Sequence, residues 1–251
     1  MAVRYAKELG AKVLAICNTQ GATLARESDA VIYTHAGPEV AVASTKALTA
    51  QITAGYLLGL FLASIRGAVP AAELKRVGLD LLKMPGRVSQ VIAGLEQAQR
   101  LGTAMADAKS VLFLGRNVGF PVAMEGALKL KELAYIHAEG FAAGELKHGP
   151  IALIEEGQPV IVIVPSPRDE ESLHPKVISN IQEIRARGAK VIAIAEEGDN
   201  QVSSYAENVI FVPECEPLLA AILTVIPLQT FALALSTAKG LDVDQPRNLA
   251  K

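Results

Sequence analysis

Tryptophan is absent from this chain of 251 residues, and aromatic residues make up only 4% of it. Hydrophobic residues nevertheless reach 51%, so the sequence predicts a substantial core of aliphatic side chains. A formal net charge of -2 provides no basic surface for nucleic acid. The only cysteines, Cys17 and Cys215, lie far apart without metal-ligand spacing, which favours buried thiols in a reducing compartment and predicts no metal site.

The sequence also lacks a clear targeting or membrane-spanning segment. Residues 1–10, MAVRYAKELG, are charged and amphipathic and have no apolar core of the kind found in signal peptides. The apolar segment at residues 52–65 is short for a membrane span, and the one at residues 218–235 is interrupted by Pro227 and Gln229. We therefore expect two buried helices here, in a cytoplasmic protein that does not enter a membrane.

Short apolar runs alternate with helical segments along the chain. Continuous apolar runs of strand length are typical of parallel strands covered on both faces, and they begin at Lys12, Asp29, Ser110, Pro159, Lys190 and Asn208. Helices are predicted at about residues 43–65, 71–82, 85–106, 123–137, 171–187 and 218–239. This alternation predicts an α/β fold in which parallel sheets are flanked by helices. Arg116 and Asn117 directly follow one strand, a common place for a ligand in open parallel sheets.

An internal repeat divides the chain into two similar units. LGAKVLAI at residues 9–16 matches RGAKVIAI at residues 187–194, and DAVI at residues 29–32 matches ENVI at residues 207–210, with the same offset. The first copy has no equivalent of the strands that begin at Ser110 and Pro159. The repeat therefore predicts a first unit at residues 1–84 that is truncated at its N-terminus, a complete second unit at residues 85–240, and a tail at residues 241–251.

Residues 125–150 concentrate charged side chains in otherwise apolar sequence. Lys129 and Glu132 are three residues apart, a spacing that places both on one face of a predicted helix. Such a pair is compatible either with a solvated ion pair or with a reactive site. Residues 138–150 contain three glycines and a proline, so we expect an ordered loop or a broken helix there. His148 in this segment is a candidate for acid–base chemistry.

Three segments resemble one enzyme family. AGPEVAVASTKA at residues 36–47, the stretch at residues 125–150 and DVDQPRNLAK at residues 242–251 are similar to motifs of the isomerase half of the glutamine:fructose-6-phosphate aminotransferases. That half consists of two sugar-isomerase (SIS) domains. The resemblance implies synthesis of glucosamine 6-phosphate from fructose 6-phosphate and ammonia, without a cofactor. It also implies that a separate N-terminal glutaminase domain supplies the ammonia.

The resemblance assigns four catalytic roles to residues of this chain. Lys251 matches the lysine that forms a Schiff base with the open sugar, for which a neutral amine is a suitable nucleophile. Glu132 matches the base that moves a proton between C1 and C2, and Lys129 matches a lysine that assists it. His148 matches the residue that opens the sugar ring. In the family this histidine comes from the other subunit, so a homodimer is implied.

The resemblance also implies residues that line the sugar site: Glu39, Val42, Ser44 and Ala250. Ser44 and Thr45 are equally good candidates for the N-cap of the following helix, and that role is compatible with ligand contact. Arg247 is expected to hold the tail in place rather than to contact the substrate.

One departure from the family concerns the phosphate site and bears on activity. The family binds the sugar phosphate in a serine-rich loop of the first SIS domain, and no such stretch is present here. The equivalent position in the second copy, residues 165–172, is acidic, so little activity is expected of these 251 residues alone. A non-catalytic sugar-phosphate-binding SIS module and a fructosamine-phosphate deglycase are the alternative functions. The lysine tail and Glu132 argue against the first, and the match of the whole tail argues against the second.

Overall fold

The structure, a computed structural model, describes residues 1–168 and 172–249. Contacts divide the chain into two compact units, Met1–Gly78 and Leu79–Lys251, whereas the sequence placed the boundary after residue 84. Every strand pair in both units is parallel, and helices connect the strands. The predicted α/β class is therefore confirmed.

Unit 1 contains a two-stranded parallel sheet, in which Leu14 lies opposite Ala30. Its elements are α1 (Ala2–Glu8), β1 (Leu14–Cys17), α2 (Thr23–Glu27), β2 (Ala30–Tyr33) and α3 (Lys46–Arg66), and α4 (Ala71–Leu82) contains the boundary to unit 2. Gly67 ends α3 in the left-handed conformation that glycine adopts without steric cost.

The prediction that both apolar segments form buried helices is wrong for α3. Only Ala47 and Ala54 of this helix are buried, because unit 1 offers a sheet of only two strands to cover it. The second segment is buried as predicted, since 67% of the most apolar 18-residue stretch of Pro217–Ala238 is buried. By length and composition alone, Lys46–Arg66 and Pro217–Ala238 are each long and apolar enough to cross a membrane.

Unit 2 is built on a five-stranded parallel sheet with the order β4-β3-β5-β6-β7. Its elements are α5 (Met84–Ala93), α6 (Glu96–Ala104), β3 (Ser110–Gly115), α7 (Gly119–Ala134), β4 (His137–Ala142), β5 (Pro159–Ile163), α8 (His174–Arg185), β6 (Lys190–Glu196), β7 (Asn208–Val212) and α9 (Ala220–Ala238). The chain leaves β3 towards β4 on one side and returns to β5 on the other. The carboxyl ends of β3 and β5 therefore form a topological switch point, where open α/β sheets commonly bind ligands.

Both faces of this sheet are covered, which explains the continuous apolar character of its strands. On one face, side chains of β3, β5 and β6 pack with Val177, Ile181 and Ile184 of α8 in a fully buried cluster. On the other face, α7 approaches β3 and α9 so closely that a Cβ on Gly126 would lie 2.8 Å from both Phe113 and Leu228. These contacts fix α7, the helix that carries the charged residues of the candidate site.

Two local predictions in unit 2 are wrong. The predicted helix at residues 85–106 is divided into α5 and α6, and Gly94 is the C-cap that ends α5. An ordered loop or a broken helix was expected at residues 138–150, but part of this segment is the edge strand β4, followed by short 3-10 helices at Ala143–His148 and Pro150–Leu153. The strand was missed because an edge strand needs no continuous apolar run. Gly140 within it lies against α7, where a Cβ would be 2.8 Å from Met124 Cα.

Candidate active site

Lys129 lies buried between two carboxylates on α7. Its Nζ is 2.5 Å from Glu132 Oε2 and 3.2 Å from Glu125 Oε1. The lysine side chain is only 3% exposed, and the two glutamates are 17% and 22% exposed. Of the two interpretations of this sequence pattern, the solvated ion pair is therefore excluded. A buried ammonium needs such partners because its desolvation is costly.

The two carboxylates differ in their surroundings. Burial raises the pKa of Glu125, and attraction to Lys129 opposes the shift only in part. Glu132 instead lines an open cavity while it accepts the hydrogen bond from Lys129. Lys129 thus fixes the direction in which Glu132 faces the cavity, and Glu125 supplies a second carboxylate for the same cation. The sequence places Glu125 at helical spacing from Lys129, but it did not predict that the Glu125 side chain is largely buried.

The cavity beside Glu132 has a volume of about 500 Å³. Its walls come from the C-terminal end of α7 and from the chain's tail, and include Glu132, Tyr135, Ile136, Arg247, Asn248 and Leu249. The backbone N–H of Arg247 donates a hydrogen bond of 2.7 Å to the hydroxyl of Tyr135. The Arg247 guanidinium lies over the Tyr135 ring, 4.2 Å from its centroid. These contacts agree with the expectation that Arg247 holds the tail.

His148, another predicted catalytic residue, lies elsewhere. His148 is the last residue of a 3-10 helix, with its side chain 75% exposed and its Nε2 4.0 Å from Glu145 Oε2. It does not line the cavity beside Glu132. Lys251 and Ala250 lie outside the described residues. Leu249, which directly precedes them in the sequence, does line the cavity.

In unit 1, Glu39 organises the start of α3. One of its carboxylate oxygens accepts hydrogen bonds from the backbone N–H groups of Thr45, at 2.7 Å, and Ala47, while the other accepts from the hydroxyl of Ser44. Thr45 occupies the N-cap position, but neither its hydroxyl nor that of Ser44 caps the helix. Glu39 performs this role from outside the helix. Val42, in the same segment, is half-buried.

We expect Glu39→Ala to lower the free energy of unfolding by about 1 kcal/mol at pH 7, the usual cost of a lost cap. Burial alone would raise the pKa of Glu39, but the hydrogen bonds from Thr45, Ala47 and Ser44 outweigh it, and the pKa is lowered. The carboxylate therefore contributes stability above its unfolded-state pKa, and this contribution is lost as the pH falls through the folded-state value. Urea denaturation at pH 7 and in acid measures both effects.

Glu8→Ala is the matched control, because Glu8 has no ion pair or side-chain hydrogen bond among the described residues. It should change stability little at either pH. An equal, pH-independent loss in both variants would contradict the capping role of Glu39.

A second cavity, of about 300 Å³, lies at the topological switch point and includes Arg116, Asn117 and Ser166 in its lining. Arg116 donates to Asn180 Oδ1 through Nε and Nη2, and the hydroxyl of Ser166 donates to Glu196. Arg116 and Ser166 therefore already have partners within the protein. The described residues contain no cluster of three or more histidine, cysteine, aspartate or glutamate side chains that could hold a metal ion.

Comparisons with known proteins agree on the family. The sequence profile of the SIS domain matches residues 1–60 and 104–239. The chain is 66% identical over its whole length to a glutamine–fructose-6-phosphate aminotransferase (isomerizing) of Corynebacterium glutamicum and 59% identical to that of Streptomyces coelicolor. It spans 40% and 41% of the length of these relatives.

A solved structure supports the same assignment. The C-terminal domain of glucosamine-fructose-6-phosphate aminotransferase from Francisella tularensis superposes with a TM-score of 0.90 at 34% identity. The match covers 97% of this chain and 68% of that domain structure. Fold, sequence profile and identity thus converge, and the chain belongs to the SIS domain family, within the group formed by the C-terminal part of the glutamine–fructose-6-phosphate aminotransferases.

Proposed function

We propose that this chain supplies the catalytic residues for the isomerase half of glucosamine 6-phosphate synthesis from fructose 6-phosphate and ammonia. The observation that carries the proposal is the cavity in unit 2. One wall presents Glu132, held by the buried Lys129, and another wall is the tail segment that leads to Lys251. The names of the relatives support the same substrate class, a phosphorylated sugar.

The residues suit successive steps of this reaction. The neutral amine of Lys251 attacks C2 of the open-chain ketose, and loss of water gives an imine. Ammonia then adds to C2 and expels the lysine amine, which leaves a ketimine. Glu132 removes a proton from C1 and returns it to C2, while the proton of the C1 hydroxyl passes to the imine nitrogen, so that C1 becomes an aldehyde and C2 carries the amine. Lys129 keeps the Glu132 carboxylate directed at these carbons.

The proposal extends to the partners of the chain. His148 opens the sugar ring from the second subunit of a homodimer, a role that its exposed position supports. Glu39, Val42, Ser44 and Ala250 line the sugar site. A glutaminase domain supplies the ammonia, and the reaction takes place in the cytoplasm.

Reductive trapping tests the imine directly. Protein expressed from the complete natural reading frame is treated with fructose 6-phosphate and borohydride, digested and analysed by mass spectrometry. We expect one sugar adduct, on the peptide that contains Lys251, and no adduct in Lys251→Arg. Lys176→Arg, at an exposed position in α8, is the control and should label normally.

The site of labelling decides between the candidate functions. An adduct on a different lysine, or no adduct in protein that binds fructose 6-phosphate, would overturn the proposal. The second result would favour the non-catalytic sugar-phosphate-binding module, because a module that only binds sugar phosphate has no use for a Schiff-base lysine.

A further inference from the structure

We propose that Tyr135 is a positioning residue that holds the C-terminal tail at the distance from Glu132 that catalysis requires. The inference rests on the proposed function, because it assigns Tyr135 a role in placing Lys251. Tyr135 follows Glu132 by three residues and lines the same cavity. It therefore connects the helix that carries the base to the segment that carries the Schiff-base lysine.

The backbone at Tyr135 has an unusual conformation. Tyr135 ends α7 with φ 56° and ψ 31°, in the left-handed region that non-glycine residues seldom adopt. A residue with a Cβ pays a steric cost there, so surrounding contacts must retain it. The Tyr135 side chain accepts a hydrogen bond from Arg247 of the tail and makes a cation–π contact with it.

Two different groups of Arg247 contact Tyr135. The backbone N–H donates to the phenolic oxygen at 2.7 Å, and the guanidinium covers the aromatic ring at 4.2 Å from its centroid. The first contact orients the tail backbone and requires the hydroxyl. The second requires the aromatic face and the cation. Single substitutions can therefore remove one contact and leave the other.

The anchored segment is itself a tight turn. The N–H of Leu249 bonds to the carbonyl of Pro246, and Asn248 has φ 64°, as the third residue of a type II turn requires. Asparagine tolerates this conformation better than most residues. Tyr135 thus holds a turn rather than an extended strand. Lys251 follows Leu249 by two residues in the sequence, and two residues span at most about 7 Å. The anchor therefore limits where the Lys251 amine acts relative to Glu132.

Four variants of the complete natural protein test the role: Tyr135→Phe, Arg247→Gln, the double variant and Tyr205→Phe as control. Tyr205 packs against the core cluster on the α8 side of the sheet. We expect Tyr135→Phe to lower kcat and the rate of borohydride trapping on Lys251 by about 3- to 10-fold, the effect of one ordinary hydrogen bond. The KM for fructose 6-phosphate and the melting temperature should stay close to those of the native protein.

The remaining variants show whether the two contacts act through one turn. Arg247→Gln should reduce both rates as well, and the double variant should lose less than the product of the two single effects, since both contacts hold the same segment. Tyr205→Phe should leave both rates unchanged. Trapping at the native rate in both Tyr135→Phe and Arg247→Gln would overturn the positioning role, as would a loss of rate explained by a lower melting temperature. Absence of any Lys251 adduct in native protein would instead overturn the proposed function.

Discussion

Replacing Glu132 with glutamine should lower kcat by about 10²- to 10⁴-fold, the usual contribution of a positioned general base. Glutamine has nearly the same shape and can still accept the hydrogen bond from Lys129, so the local packing should persist. It cannot take a proton from C1 of the sugar. We therefore expect the variant to form the Lys251 adduct on borohydride treatment but to exchange the C1 proton with solvent far more slowly.

This pairing of results separates proton transfer from binding. Adduct formation reports sugar binding and the amine of Lys251, whereas deuterium incorporation from heavy water reports the base. Glu197→Gln, at an exposed position after β6, is the control and should leave both measurements unchanged. If Glu132→Gln retains native proton exchange, another group is the base, and the interpretation of the cavity is wrong.

The strands that the sequence revealed best are those covered on both faces. In β3, β5 and β6 every residue after the first is buried, so their apolar runs identify them without any alternation. β4 lies at the edge of the same sheet and has the sequence HAEGFA, in which only one residue is buried. Pairing with β3 makes it a strand. Such pairing depends on neighbours that are distant in the sequence, so a local pattern does not show it.

In the candidate site too, the sequence predicted local relations between residues but not contacts between residues that are distant in the chain. Helical spacing was enough to place Lys129 and Glu132 on one face of α7, because that relation is local. Tyr135 and Arg247 are 112 residues apart, and their contact depends on the path of the whole of unit 2. Glu125 was visible as a charge, but its burial and raised pKa follow from the packing of α7 against the sheet. The sequence therefore predicted that Lys129 and Glu132 share one helix face and missed what surrounds them.

Removing the cation at Lys129 should be the most destabilising single change in the site. In Lys129→Met a side chain of similar length replaces the ammonium, and Glu125 and Glu132 are left without their shared partner. Breaking a buried ion pair typically costs about 3–5 kcal/mol. Because both carboxylates retain some contact with water, we expect a loss near the lower end, about 3 kcal/mol, in urea denaturation at pH 7.

The pH dependence of this loss identifies its origin. Burial already raises the pKa of Glu125 in the native protein, and without Lys129 the opposing attraction disappears. A carboxyl whose pKa is raised in the folded state destabilises the folded protein least in acid, where the group is protonated. The free energy of unfolding falls as the pH rises through the folded-state pKa. The deficit of Lys129→Met should therefore shrink in acid. Adding Glu125→Gln should recover part of it at pH 7, because a neutral amide replaces one uncompensated charge.

Lys131→Met is the matched control, since Lys131 lies two residues further along α7 and is exposed. It should change stability by less than about 0.5 kcal/mol, as surface substitutions usually do. A similarly small and pH-independent effect of Lys129→Met would mean that water reaches Glu125 and Glu132 freely. In that case Lys129 would not direct Glu132 into the cavity, and the base would have to be oriented by the substrate itself.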